Sequence, residues 1–340
     1  MTAEEEQRKK VAVVYNSFDD VSDPENVEFL SEAGVKDEAD AVSQSLERLG
    51  HQILVLPLKN LTSDIQTIIT FQPDVIFNLC EGFRGNTQHE MFIAGIWELL
   101  SIPYTGNHAL TIGTAQNKVL TKQMLVTNGL MTPEYETFSD IPVITQLQFP
   151  LIAKPSREDG SIGIDRNAVI RNLDELKISV ERLLQRYRQE ILVERFIDGR
   201  EFAVGILENG SPVALPPSEI LFDALDANLP HIASYDAKWY ENDPIYQKTP
   251  SICPAMLDST TEDRLQSLAL RVYALMGGNG YGRIDFRMDA QGEIYILEYN
   301  PNPDISPAAG YVKALKASGI SYDEFVATQI DTAMKRKDHD

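Results

Sequence analysis

The segment from Gly282 to Asn300 carries the side chains best suited to hold a divalent cation. Two runs of alternating apolar and polar residues flank a Gln-Gly pair, which favours a tight turn and predicts a β-hairpin. In that hairpin Asp285 faces Glu298, and Arg283 faces Asn300. Opposed carboxylates repel unless a cation lies between them, and carboxylate and amide oxygens suit Mg²⁺. The hairpin therefore predicts a magnesium site able to meet phosphate groups.

The apolar side chains of the same hairpin are predicted to face a hydrophobic core. They are Ile284, Phe286, Met288, Tyr295, Leu297 and Tyr299. A simpler interpretation of the polar face stays open, since many antiparallel sheets have one face in water.

A second group of residues could bind phosphate. Lys154 ends an apolar strand, and a loop of small residues over 156–164, including Ser161, follows it. The backbone N–H groups of such a loop, a hydroxyl and a lysine can all donate to phosphate oxygens. Lys118, in a helix predicted over 111–128, could aim a second cation at the same phosphates. Each feature alone also fits an ordinary turn or a solvated lysine.

The stretch VERFIDGRE, residues 193–201, predicts a strand, a turn and a second strand. A strand edge can hydrogen-bond an adenine through its backbone, and a carboxylate can accept from both ribose hydroxyls. Charged residues beside a turn are more commonly just solvated, so this stretch is informative only together with the other two.

The composition excludes several classes of protein. A net charge of −21 over 340 residues and a pI near 4.6 argue against nucleic-acid partners and against an anionic membrane surface. No apolar run approaches the ~20 residues of a membrane span, and the charged N-terminus shows no secretory signal. Cys80 and Cys253 are predicted to be reduced thiols. We therefore expect a cytoplasmic protein of two or three packed domains.

The N-terminal part of the chain alternates strands with helices. Strands are predicted over 10–15, 51–56 and 74–79, and helices over 37–49 and 87–100, which favours a parallel sheet. No glycine-rich turn follows the first strand, so dinucleotide-dependent hydride transfer is disfavoured. No GxxxxGK[ST] motif occurs, so a nucleotide would have to be held in another way.

The order of these elements resembles the ATP-grasp enzymes, and more closely the D-alanine–D-alanine ligase family. The resemblance covers nearly the whole chain and rests on IPYTGNHAL, NKVLTK, KPSREDGSIGI, VERFIDGREFAVGIL, SYDAKWY, CPAMLD, GRIDFRMD and ILEYN. It implies an α/β (α+β) ATP-grasp fold with an N-terminal parallel-sheet α/β domain over 1–108. A central subdomain with the phosphate loop would span 109–196. A C-terminal subdomain with the metal and oxyanion residues would span 197–340.

The resemblance also implies which residues bind the nucleotide. They would be Lys118 and Lys154 at the phosphates of ATP, Ser161 in the loop above them, Glu194 at the adenine, Glu201 at the ribose and Lys238 at the γ-phosphate.

For the metal site, the resemblance implies that Asp285, Glu298 and Asn300 hold two Mg²⁺ ions, which Mn²⁺ could replace. Arg283 would stabilise the tetrahedral oxyanion together with the backbone N–H of Asp304. The implied reaction joins a small-molecule carboxylate to an amine through an acyl phosphate. The family also suggests a homodimer.

The sequence departs from the family on the amino-acid side. Glu81 stands where the family has a histidine, Trp239 where it has a tyrosine, and Asp304 where it has a glycine. The family's carboxylate-binding serine falls near Ala309. An anionic second substrate would be repelled by the added carboxylates, so we expect an amine that lacks a free carboxylate or carries extra positive charge. Alternatively, Asp304 could point into solvent or pair with Lys313.

Two other functions stay open. The chain could be a genuine D-alanine–D-alanine ligase with a divergent pocket, or an ATP-binding regulatory protein without catalysis. Arg283 distinguishes the last case, because a binding module needs lysines and metal ligands but no oxyanion donor.

Overall fold

A computed structural model of the chain describes residues 8–17, 29–160, 162–165, 168–226, 229–232 and 244–336, with only the backbone at 29–33 and 244. Within these ranges the strands form three sheets that follow one another along the chain. The same ranges contain no helix long and apolar enough to cross a membrane.

The first sheet is parallel and has the order β2-β1-β3. Its strands are β1 (Lys10–Asn16), β2 (Gln52–Leu58) and β3 (Val75–Leu79). Strand β3 is buried at every residue, as expected for a parallel strand covered on both faces. The predicted N-terminal parallel sheet is thus confirmed.

The second sheet is antiparallel, in the order β4-β7-β5-β6. Its strands are β4 (Tyr135–Phe138), β5 (Leu151–Pro155), β6 (Val169–Ile170) and β7 (Ile191–Arg195). Ile152 of β5 pairs with Glu194 of β7, and Lys154, two residues further along β5, pairs with Leu192 of β7. This pairing brings the predicted phosphate lysine beside the predicted adenine-binding strand.

The third sheet is also antiparallel, in the order β11-β10-β8-β12-β13, with β9 paired to β8. Its strands are β8 (Arg200–Asn209), β9 (Ser211–Ala214), β10 (Ser218–Ile220), β11 (Ser251–Ile252), β12 (Tyr281–Met288) and β13 (Ile294–Asn300). The hairpin of β12 and β13 therefore sits at one edge of this sheet.

The helices cover the sheets. They are α1 (Phe29–Arg48), α2 (Leu61–Phe71), α3 (Glu90–Leu99), α4 (Ala109–Gln116), α5 (Lys118–Thr127), α6 (Leu173–Tyr187), α7 (Pro244–Lys248), α8 (Ser259–Leu275), α9 (Gly310–Ala317) and α10 (Tyr322–Arg336). The single helix predicted over 111–128 is instead two helices that meet at Asn117. The Asn117 side chain caps α5 by accepting from Leu120 N at 3.1 Å. Lys118 consequently begins a helix, where its amide also donates to Ser156 O at 3.0 Å.

The hairpin has the predicted register at the site and a different one beyond it. Arg283 pairs with Asn300 and Asp285 with Glu298, as predicted, and a β-bulge follows between Asp285 and Phe286. The loop then closes through Gly292, whose φ of +81° glycine adopts easily.

The bulge corrects two of the predicted core positions. One extra residue reverses the faces of the strand beyond it, so Ile294 and Ile296 are buried in the core instead of Tyr295 and Leu297. Tyr295 receives a hydrogen bond from Arg195 at 2.9 Å, and Leu297 lines a cavity described below. Ile284, Phe286 and Tyr299 are in the core as predicted, and Met288 packs against it.

One hydrophobic cluster joins the first sheet to the third sheet and the C-terminal helices. It includes Val13 of β1, Phe77 of β3, Tyr281 of β12 and Phe325 of α10. Arg48 at the end of α1 pairs with Asp323 of α10 at 2.6 Å. The boundaries at 108 and 196 stay predictions, and the packing shows that the first sheet shares its core with the end of the chain.

Candidate functional site

Two neighbouring cavities share part of their lining. The larger, called here the wide cleft, has a volume of about 1480 Å³; the smaller, the narrow slot, has about 90 Å³. Glu201, Asp285 and Glu298 line both. The two cavities therefore meet at the acidic face of the β12–β13 hairpin.

The predicted residues divide between the two cavities. The slot is lined by Lys118, Lys154, Glu194, Glu201, Asp285 and Glu298. The cleft is lined by Glu81, Glu201, Arg283, Asp285, Glu298, Asn300 and Asp304. Ser161, Lys238 and Trp239 lie outside the described residues.

Asp285, Glu298 and Asn300 share one face at the open end of the hairpin. Each carboxylate is balanced by a neighbouring cation. Arg283 donates to both oxygens of Asp285 at 2.7 and 2.9 Å, and Lys118 Nζ lies 2.8 Å from Glu298. Two carboxylates and an amide oxygen form a donor set that fits a hard divalent ion. These three residues could hold Mg²⁺, and their role as metal ligands stays a prediction.

Lys118 is almost fully buried and lies between two carboxylates. Its Nζ is 2.8 Å from Glu298 and 2.5 Å from Asp159 in the loop after β5. Burial alone would lower the pKa of Lys118, but the two carboxylates outweigh burial and raise it. The ammonium thus stays charged inside the slot. No sequence pattern singles out Asp159 as the second partner of Lys118.

Glu194 lies between two lysines beneath the slot. Lys154 Nζ is 2.8 Å from one carboxylate oxygen, and Lys122 forms an ion pair with the other. Burial opposes ionisation of Glu194, but the lysines outweigh it and lower the pKa of Glu194. Burial also lowers the pKa of Lys122, to about 8.

Sequence reasoning missed the role of Lys122. Its signal was the four-residue spacing from Lys118, which places both lysines on one face of α5.

Glu201 of β8 lies directly across from Arg287 of β12. Arg287 donates to Glu201 at 2.6 Å, and both side chains are largely buried. Sequence reasoning missed Arg287, although Arg283, Asp285 and Arg287 alternate along one strand and therefore share a face.

The loop after β5 approaches the sheet closely. Gly163 has a φ of +82°, and a Cβ there would lie 2.7 Å from Pro155 Cδ. Glu158 accepts from Gln189 at 2.7 Å and from Thr87 at 3.2 Å, so the loop also contacts the N-terminal part of the chain. The positive φ and the close approach to Pro155 require glycine at position 163, where the loop backbone lies over the slot.

The far end of the cleft contains carboxyl groups and a lysine. Asp304 and Lys313 both line the cleft, and Lys313 donates to Ser251 O at 3.3 Å. The proposed Asp304–Lys313 pair is not formed. Glu38 of α1 is buried nearby, and its pKa is raised well above the usual value by burial, with Glu81 and Asp304 as further causes. Three carboxyl groups from distant parts of the sequence thus gather here.

Comparison with known proteins places the chain in a family. Residues 119–331 match the model of the D-ala D-ala ligase C-terminus. The D-alanine–D-alanine ligase of Marinomonas sp. is 34% identical over 292 residues, covering 84% of this chain and 86% of that protein. An uncharacterized protein of Sinorhizobium fredii is 28% identical over 305 residues, covering 88% of both chains.

Solved structures give the same fold. The crystal structure of D-alanine–D-alanine ligase from Bacillus anthracis complexed with ATP superimposes with a TM-score of 0.75 at 20% identity, covering 97% of this chain and 99% of that one. The predicted ATP-grasp fold with an N-terminal parallel sheet is thereby confirmed. Together with the matched C-terminal region, these findings show that the chain belongs to the D-alanine–D-alanine ligase family of ATP-grasp ligases.

Proposed function

We propose that this protein joins a carboxylate to an amine with consumption of ATP, with the nucleotide bound at the narrow slot and its junction with the wide cleft, where the two substrates would lie. The observation that supports this most is the meeting of Lys118, Asp285 and Glu298 where slot and cleft join. Phosphoryl transfer needs cations and metal ligands at the point where the nucleotide meets its acceptor.

The slot residues would bind and orient the nucleotide. Lys118 and Lys154 place two ammonium groups where phosphate oxygens would lie, while Glu194 keeps Lys154 in position. Divalent ions held by Asp285, Glu298 and Asn300 would neutralise charge on the phosphates during transfer. Lys238 is proposed to reach the γ-phosphate, and Ser161 is proposed to belong to the loop that closes over the phosphates.

The cleft residues would act on the acyl group. The substrate carboxylate would take the γ-phosphoryl group and form an acyl phosphate with release of ADP. The amine nitrogen would then form a bond to the acyl carbon, phosphate would leave, and the amine would lose a proton. Arg283 would stabilise the oxyanion of that step, helped by the backbone N–H of Asp304.

The acidic end of the cleft supports a further proposal about the amine. Glu81 and Asp304, which line the cleft, would disfavour additional negative charge there, so the amine substrate would lack a free carboxylate or carry an extra positive charge. The opposing candidate, D-alanine itself, is favoured by the names of relatives such as the Marinomonas ligase.

Phosphate release from ATP and Mg²⁺ would test both proposals when measured with each acid and amine separately and together. We expect release that requires both substrates, and faster turnover with a diamino acid or D-alanine amide than with D-alanine. ATP binding without release in any combination would refute catalysis. Strong turnover with D-alanine alone would refute the altered pocket and identify a genuine D-alanine–D-alanine ligase.

A further inference from the structure

Arg287 lies in the wall of the narrow slot, away from the metal-binding end. It follows Arg283 and Asp285 on the same face of β12 and pairs in register with Glu201 of β8. Its side chain is only 5% exposed. A buried guanidinium needs partners for its N–H groups, and those partners indicate what it does.

The guanidinium donors of Arg287 are engaged by the protein. The terminal nitrogens donate to Glu201 Oε2 at 2.6 Å, to His231 O at 2.5 Å, to Gly199 O at 3.3 Å and to Ile197 O at 3.4 Å. The rings of Phe196 and Phe222 pack against the guanidinium, with ring centres 5.6 and 5.4 Å from Arg287 Cζ. Arg287 is thus held rigidly and cannot swing away to follow a ligand.

Glu201 is correspondingly fixed through one of its two carboxylate oxygens. Oε2 receives the hydrogen bond from Arg287, whereas Oε1 has no donor among the described residues. The rest of the slot wall is mostly apolar, and its aliphatic lining residues are Ile152, Ile162, Ile164, Ile197, Ile232 and Leu297. A free carboxylate oxygen in such a wall is well placed to accept from hydroxyl groups of a ligand.

We propose that Arg287 is a positioning residue that fixes Glu201 toward the ribose of the nucleotide and makes the slot selective for ribonucleotides over 2′-deoxyribonucleotides. The proposal rests on ATP binding in the slot. Without Arg287 the carboxylate would lose its counter-ion and its fixed rotamer, so two hydroxyl groups could not be held together.

Calorimetric binding with Mg²⁺ and no acceptor substrates tests this inference. The probes are ATP, 2′-deoxy-ATP and inorganic tripolyphosphate, which has no ribose. In the wild-type protein we expect ATP to bind about tenfold to a hundredfold more tightly than 2′-deoxy-ATP, the range for one hydrogen bond to a charged group. In Arg287→Met this ratio should fall to within about threefold, while tripolyphosphate binding stays unchanged.

Three further variants complete the design. Glu201→Gln should reduce the same ratio, and the double variant should lose no more than either single one, because the two residues act as a unit. Arg200→Met is the matched control. Arg200 also pairs with a glutamate of the same sheet, Glu219, at 2.6 and 2.8 Å, but its side chain is 39% exposed and lies outside the slot lining, so its variant should keep the wild-type ratio.

The outcomes separate this inference from the proposed function. A wild-type protein that binds ATP but does not prefer it over 2′-deoxy-ATP overturns the inference alone, as does an Arg287→Met variant with an unchanged ratio. Equal losses for ATP and tripolyphosphate would also overturn it, because they indicate general collapse of the slot. If Arg287→Met does not fold, Arg287→Lys decides, with a reduced ratio expected. Failure of the wild type to bind ATP would instead refute the proposed function.

Discussion

The narrow slot and the wide cleft balance their charges differently. In the slot, Glu194 lies between Lys122 and Lys154, and Glu201 lies against Arg287. At the acidic end of the cleft, carboxyl groups gather, and the pKa of Glu38 is raised by burial and by its acidic neighbours. The slot carboxylates are thus balanced by buried cations, whereas the cleft concentrates carboxyl groups at one end. In our proposal, this difference would let the cleft select against additional negative charge on the amine.

The largest expected effect comes from removing the negative charge that Glu194 places between two buried lysines of the slot. Glu194→Gln keeps the shape of the side chain but leaves Lys122 and Lys154 buried without their counter-ion. Removing one partner of a buried pair costs about 3–5 kcal/mol. We expect a loss of that size in the free energy of unfolding, measured with urea. The control is Arg182→Met, whose partner Asp165 and own side chain are 37% and 51% exposed; its loss should stay below about 1 kcal/mol. Equal losses would show that the slot charges are not interdependent.

Removing the guanidinium of Arg283 should slow catalysis and leave nucleotide binding nearly intact. Arg283→Met is expected to lower the rate of amide formation by about 100-fold to 1000-fold, the usual cost of one oxyanion donor. ATP affinity, measured by calorimetry, should change by less than about threefold. An unchanged rate would favour a role for Arg283 limited to balancing Asp285.

A pH experiment tests the carboxyl group of Glu90, which lines the cleft. Burial, with Asp159 as a further cause, raises the pKa of Glu90 to about 8. Unfolded glutamate ionises near pH 4.3, so between ~4.3 and ~8 the folded state binds more protons and stability falls as pH rises. The loss is at most ~1.4 kcal/mol per pH unit.

Glu90→Gln should remove this dependence. Urea unfolding at about pH 5.5 and about pH 8 should show the variant gaining stability relative to wild type at the higher pH. The exposed Glu181→Gln serves as control and should follow wild type at both values. If the free energy of unfolding changes equally between the two pH values in all three proteins, Glu90 is ionised in the folded state.

The smallest expected effect concerns the amine. Asp304→Asn removes one negative charge from the cleft and keeps the side-chain size. The KM for an amine bearing a carboxylate should fall by on the order of tenfold, about 1.4 kcal/mol, and that for a cationic amine should rise. Steady-state phosphate release with both amines measures the shift. A change in the same direction for both amines would argue against electrostatic selection.

The sequence was most informative where chemistry and local pattern coincide. Alternation on both sides of a turn correctly paired Asp285 with Glu298. The β-bulge that follows could not be foreseen, since one extra residue leaves the apolar pattern plausible on either face. Tyr295 and Leu297 were therefore assigned to the wrong face. The helix α2 went unpredicted, although Asn60 provides an N-cap signal before it.

Several residues of the site were not predicted from the sequence, for a different reason. Lys122, Asp159, Arg287 and Glu38 acquire their partners only through contacts between distant parts of the chain. In the sequence each is an ordinary charged residue of a helix, a loop or a strand. Their importance comes from burial, which no single sequence pattern specifies. The roles of Ser161, Lys238 and Trp239 stay predictions.

The shared hydrophobic cluster has a consequence for how the protein is made. Val13 and Phe77 leave the ribosome early, but Phe325 and Ile330, which complete the same cluster, are synthesised more than two hundred residues later. Until α10 is made, this face of the first sheet is covered only in part, by early elements such as α1, and the remaining apolar surface can attract chaperones or other nascent chains. Shortening the C-terminal helix should expose that early-made face again, far from the deletion in sequence.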